Sequence, residues 1–120
     1  MVESKKIILY VDDEQINLRV FQLMFKNQFH IITALSAAEA VEKLEEHPSI
    51  NFVISDYRMP EINGFEFIRN VQPTYKEKNF FMLSGFDQPE EVNKAIELGM
   101  IKKYFTKPMN KVEILSALEN

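Results

Sequence analysis

The chain has 120 residues, with 14 Lys and Arg against 18 Asp and Glu, so its formal charge is −4. At roughly 100–200 residues per domain, one domain over residues 1–120 is expected, and the acidic balance argues against direct nucleic-acid or membrane partners, which need a basic footprint. With no Cys, two His and no apolar run near ~18 residues, disulfides, thiol chemistry, a zinc site and a membrane span fall away.

The first apolar run, Lys6–Val11, ends in Asp12-Asp13-Glu14. Short continuous apolar runs suit strands buried on both faces. Leu18, Phe21, Met24 and Phe25 then share one face of a first helix. Phe29–Ala34 is a second strand, followed by a helix with Ala37, Ala40, Val41 and Leu44 inward. Asn51–Ser55 is a third strand and ends at Asp56; Phe65, Ile68 and Val71 mark the third helix. Phe80–Leu83 ends at Ser84, and Val92, Ala95 and Ile96 mark the fourth helix. Lys103–Thr106 runs into Lys107-Pro108, and Val112, Leu115 and Leu118 mark the fifth.

Helix starts carry capping-box signals: Ser36 with Glu39, Asn63 with Glu66, Asp87 with Glu90, and Asn110 with Glu113. Pro48, Pro73 and Gly99 supply stops. The alternation is (βα) five times, which predicts an α/β, doubly wound parallel sheet with helices on both faces.

Ligands of such sheets bind beyond the carboxyl ends of the strands. Those ends deliver Asp12, Asp13, Asp56, Ser84 and Lys107. If the first and third strands are neighbours, three carboxylates share one crevice and cannot all ionise without compensation. Lys107 and a divalent cation would balance them, and hard oxygen ligands point to Mg²⁺. His30 and His47 lie away from this cluster and read as surface or structural residues. Leu98 falls off the fourth helix's apolar stripe, and Lys102-Lys103 reads as a solvated pair.

The set Asp12-Asp13, Asp56, Ser84 and Lys107-Pro108 resembles the receiver domain of two-component response regulators over essentially the whole chain. Asp56-Tyr-Arg-Met-Pro60 followed by Gly64 is similar to the phosphorylation segment of that family, and Leu98–Pro108 to its closing segment. The resemblance implies a flavodoxin-like strand order of 2-1-3-4-5. It also implies a function: a histidine kinase or phosphotransfer protein donates a phosphoryl group, and Asp56 accepts it as an acyl phosphate. Asp13, Asp56 and the backbone carbonyl of Arg58 would ligate Mg²⁺, with Asp12 acting through a water. Lys107 and Ser84 would hold the phosphoryl oxygens. Ser84 and Tyr104 would form a switch read out on the helix-four, strand-five, helix-five face by a homodimer partner or an output domain.

Ser84 stands where Thr is more frequent in the family, and Met100 follows Gly99 where a small Ala is usual. Arg58 and Phe86 fall at variable positions that flank the pocket and bear on phosphate lifetime. A cytoplasmic signalling switch without external turnover is therefore expected. The alternative is a small Mg²⁺-dependent phosphatase with an aspartyl nucleophile. That family uses an Asp-x-Asp motif, however, and here the pair is adjacent.

Overall fold

The computed structural model describes residues 5–85 and 88–119. Five strands and five helices alternate: β1 (Ile7–Val11), α1 (Gln15–Phe25), β2 (His30–Ala34), α2 (Ala37–Glu46), β3 (Phe52–Asp56), α3 (Gly64–Val71), β4 (Asn79–Ser84), α4 (Glu90–Glu97), β5 (Lys103–Thr106) and α5 (Lys111–Glu119). The strands form one sheet in the order β2-β1-β3-β4-β5, and every neighbouring pair is parallel. This is the doubly wound fold that the alternation predicts. No described helix is long and apolar enough to cross a membrane.

Side chains alternate across each strand with a period of two, and the two faces bury different cores. Leu9, Val11, Val53, Phe80 and Met82 pack against α2, α3 and α4 through Ala40, Leu44, Phe67, Ile68 and Val92. Ile8, Tyr10, Phe52, Ile54, Phe81, Leu83 and Phe105 pack against α1 and α5 through Phe21, Phe25 and Ile114. The second face is aromatic: rings run in contact from Tyr10 through Phe21, Phe25, Phe29, Phe52 and Phe81 to Phe105.

The caps explain the helix starts. Asn63 and Glu66 form a full capping box at α3. Ser36 accepts from the Glu39 amide at α2, while the Glu39 carboxylate reaches one residue further back, to the Leu35 amide. Asn110 accepts from the Glu113 amide. The fourth expectation fails. Asp87 lies outside the described residues, and α4 begins later, at Glu90, with Pro89 at the N-cap and no side-chain cap. Its other end is as expected: Gly99 takes φ +78, and the Gly99 and Met100 amides return to the Ile96 and Ala95 carbonyls.

Val112 is also not part of the α5 core stripe. It is 77% exposed, while Ile114 and Leu118 face the sheet. A nine-residue helix with apolar residues at 112, 114, 115 and 118 supports two stripes, and packing against Phe105 and Phe81 selects the one through Ile114. Leu98 is exposed, as are Lys102 and Lys103. His30 opens β2 at the surface, and His47 caps the C-terminus of α2.

Candidate functional site

Asp12 follows β1 directly, Asp56 is the last residue of β3, Ser84 is the last of β4, and Lys107 follows β5. β1 and β3 are neighbours, with Val11 opposite Ser55, so the condition for crowded carboxylates is met. Ligand oxygens of Asp12, Asp13 and Asp56 all lie within 4.8 Å of one another. Strand parity puts Asp12 on the same side as Tyr10, Asp56 with Ile54, and Lys107 with Phe105. The three therefore converge at the upper end of the aromatic face.

Lys107 bridges the carboxylates. Its Nζ lies 3.3 Å from Asp12 Oδ2 and 3.3 Å from Asp56 Oδ1. Its backbone amide donates to the Ser84 carbonyl at 2.8 Å, which locks the end of β4 to the residue after β5. The Lys107-Pro108 peptide is cis. Burial pulls the Lys107 pKa down, but Asp56 and Asp12 outweigh it, and the net shift is upward. The ammonium is thus held charged.

Asp12 is fully buried and saturated with donors. Its Oδ2 accepts from Tyr10 Oη at 2.8 Å, Asn17 Nδ2 at 3.2 Å and Lys107, and its Oδ1 accepts from the Glu14 amide at 3.0 Å. Asp13 is exposed and lines an open cleft with Tyr57, Arg58, Met59, Pro60 and Asn63. Asp56 is 7% exposed. Burial first, and then the Asp12 charge, raise its pKa from 3.8 to about 6, against the opposing pull of Lys107. Ser84 is buried. Tyr104 is half-buried, stands opposite Met82, and packs against the core that faces α2, α3 and α4.

Two contributors escaped the sequence reading. Tyr10 is the one residue of β1 with a polar tip, and its place two residues before Asp12 put it on the same face. Asn17 sits in the first turn of α1, within reach of the same carboxylate. Phe86 lies outside the described residues.

Gly64 explains its own presence. A Cβ there would lie 2.2 Å from the Asp56 carbonyl oxygen and 2.9 Å from Met82 Sδ. Its amide donates to the Tyr57 carbonyl at 2.7 Å. Tyr57 in turn donates its hydroxyl to the Glu91 carboxylate of α4; that acceptor, followed by burial, pushes the Tyr57 pKa up to about 12.

With all three acids ionised and Lys107 protonated, the pocket carries two net negative charges. An excess of that kind, buried at Asp12 and Asp56, is costly unless a cation joins it. Three carboxylates whose oxygens lie within 4.8 Å of one another, one of them open to solvent, fit a small divalent cation.

Comparison with known proteins agrees with this geometry. The family model described as "Response regulator receiver domain" matches residues 8–119. The uncharacterized transcriptional regulatory protein YesN of Bacillus subtilis is 34% identical over 93% of the chain and 31% of its own length. The chain spans between 22% and 31% of the first curated transcriptional regulators it matches. A receiver domain protein from Clostridium thermocellum superposes with a TM-score of 0.88 at 25% identity, covering 96% of this chain and 92% of that one. A chain of the CheX-CheY-BeF3-Mg²⁺ complex from Borrelia burgdorferi superposes with a TM-score of 0.86 at 27% identity, covering 96% of this chain and 87% of that one. These matches give the phosphatase alternative no support.

Proposed function

The chain belongs to the receiver domain family of two-component response regulators, and from that premise we propose that Asp56 accepts a phosphoryl group from the phosphohistidine of a histidine kinase or phosphotransfer protein. One observation carries the reading: the Asp56 carboxylate closes a buried acidic pocket, 3.3 Å from the Lys107 ammonium. An Asp56 oxygen attacks phosphorus and forms a P–O bond as the P–N bond breaks. The electron pair of that bond leaves with the imidazole nitrogen. Phosphoryl transfer asks the protein mostly for position and charge neutralisation.

Asp13, Asp56 and the Arg58 carbonyl would hold Mg²⁺, with Asp12 acting through a water. Bound Mg²⁺ supplies positive charge where the phosphoryl oxygens arrive. Lys107 stays protonated and neutralises the acids before transfer and the phosphoryl group after it. Ser84 donates its hydroxyl to a phosphoryl oxygen. The dianionic acyl phosphate adds an uncompensated negative charge, so the new oxygens draw Ser84 toward them. Tyr104 then moves into the space vacated beside β4.

The face built by α4, β5 and α5 carries that change to a homodimer partner or an output domain. Phosphorylation biases this equilibrium only as far as its contacts are stronger in the active arrangement. The domain spans residues 1–120, works in the cytoplasm, and modifies itself without turning over an external substrate. Arg58 beside the cleft screens the acyl phosphate from water.

Incubation with phosphoramidate and Mg²⁺ tests the acceptor. Intact mass should rise by one phosphoryl group, once per chain, and not at all in Asp56→Asn. Modification of Asp56→Asn at the wild-type rate would refute the assignment. Sustained release of phosphate from a phosphomonoester would favour a phosphatase.

A further inference from the structure

Tyr57 is the residue immediately after Asp56, and its backbone is held on both sides. Its amide donates to the Leu83 carbonyl at 3.2 Å, and its carbonyl accepts from Gly64 at 2.7 Å. The main chain that carries Asp56 therefore has little freedom at this point. The side chain leaves it sideways, packs half-buried against the aliphatic core, and donates its hydroxyl to the Glu91 carboxylate in the first turn of α4.

That first turn has few other anchors. Its N-cap is Pro89, which has no side-chain acceptor, and the buried residues of the helix are Val92 and Ala95. A short helix held by Val92, Ala95 and the partly buried Ile96, with no side-chain cap, is a weakly fixed element whose position one polar contact can set.

We propose that Tyr57 is a positioning residue whose hydroxyl, donated to Glu91, ties the first turn of α4 to the backbone that carries Asp56. This rests on the receiver reading for its consequence: α4 senses the acceptor site through Tyr57 as well as through Ser84 and Tyr104. The phenol spans from one element to another, and a Phe in its place would preserve the ring packing while removing the tie.

Three single variants and one double variant decide the matter in the full chain. Tyr57→Phe and Glu91→Ala each break the bond; Glu91→Gln retains an acceptor oxygen and serves as the conservative rescue. Amide hydrogen exchange over residues 92–97, with no ligand added, should quicken about five- to tenfold in either breaking variant, as expected for one part-buried hydrogen bond. Glu91→Gln should stay near wild type, and the double variant should be no faster than either single one.

Saturation with beryllofluoride and Mg²⁺ is the second readout. Amide shifts in α4 should fall below half the wild-type change in Tyr57→Phe, while those of Asp13 and Lys107 keep their full change. Wild-type exchange in Tyr57→Phe, additive effects in the double variant, or undiminished α4 shifts would overturn the proposal. If the wild-type amides around Asp56 ignore beryllofluoride altogether, the acceptor role fails, and the exchange comparison alone still decides whether the tie exists.

Discussion

At the lower end of the sheet, just before β4, Lys78 is 4% exposed. Its ammonium donates to the Pro48 and Ile50 carbonyls, both at 2.7 Å, and lies over the Tyr75 ring. At the upper end, Asp12 and Asp56 are as deeply buried and share the single ammonium of Lys107 at 3.3 Å. The lower charge is met by fixed neutral dipoles aimed at it, and Glu77 approaches it from the surface at 3.7 Å. The upper charges exceed their counter-charge by one, and the exposed Asp13 beside them makes the excess two. The contrast separates two uses of a buried ion. Where the backbone satisfies the charge, it ties loops together and asks for nothing more. Where charge is left over, the site favours an incoming positive charge.

The largest effect that would sharpen this contrast is expected at the lower end. Lys78→Ala leaves the buried Ile50 carbonyl and the part-buried Pro48 carbonyl without this donor and should cost about 4 kcal/mol of stability. Urea denaturation measures the loss, and Mg²⁺ affinity should not change. A parallel drop in Mg²⁺ affinity would mean that the two ends are not independent.

At the upper end the sign reverses, because one charge there is a burden. The Asp56 pKa lies at about 6 when folded, above its ordinary 3.8, so the folded chain binds more protons between those values. Stability from this group therefore falls as pH rises from about 4 to 6, and the full penalty persists above that. Asp56→Asn should stabilise the metal-free protein by on the order of 3 kcal/mol at pH 7 and by almost nothing below pH 4. Thermal melts across that range check it. A uniform gain at all pH values would assign the effect to packing instead.

Next in size is the cation. Mg²⁺ at 100 times its dissociation constant should add about 2.7 kcal/mol, and Asp13→Ala should lose most of that gain. An undiminished shift in Asp13→Ala would remove Asp13 from the site. The smallest effect belongs to Tyr10→Phe, which keeps the ring 4.2 Å from Phe21 and takes one donor from Asp12. It should cost about 1.5 kcal/mol, read by urea denaturation. A neutral result would show that Asn17, Lys107 and the Glu14 amide suffice for Asp12.

Much of the upper end was legible in the sequence, because the strand-end placement of Asp12, Asp13, Asp56, Ser84 and Lys107 follows from alternation alone. The lower end was not. Lys78 looks like any of the charged residues in Tyr75-Lys-Glu-Lys78, and its burial depends on two carbonyls about thirty positions away. The α4 start was misplaced because Asp87 and Glu90 fit a capping box that Pro89 supersedes. Val112 was misassigned because periodicity within a short helix cannot choose between two apolar stripes. Tyr10 and Asn17 were hidden for a different reason: a side chain that supports a functional carboxylate carries no pattern of its own.

The close approach of Gly64 to the Asp56 carbonyl has a mechanical consequence. With a gap that would leave a Cβ only 2.2 Å from that oxygen, the start of α3 seats directly on the end of β3, backbone against backbone. Position 64 admits no side chain at all, and even Gly64→Ala should act as a wedge under the end of β3, far out of proportion to the one methyl group it adds.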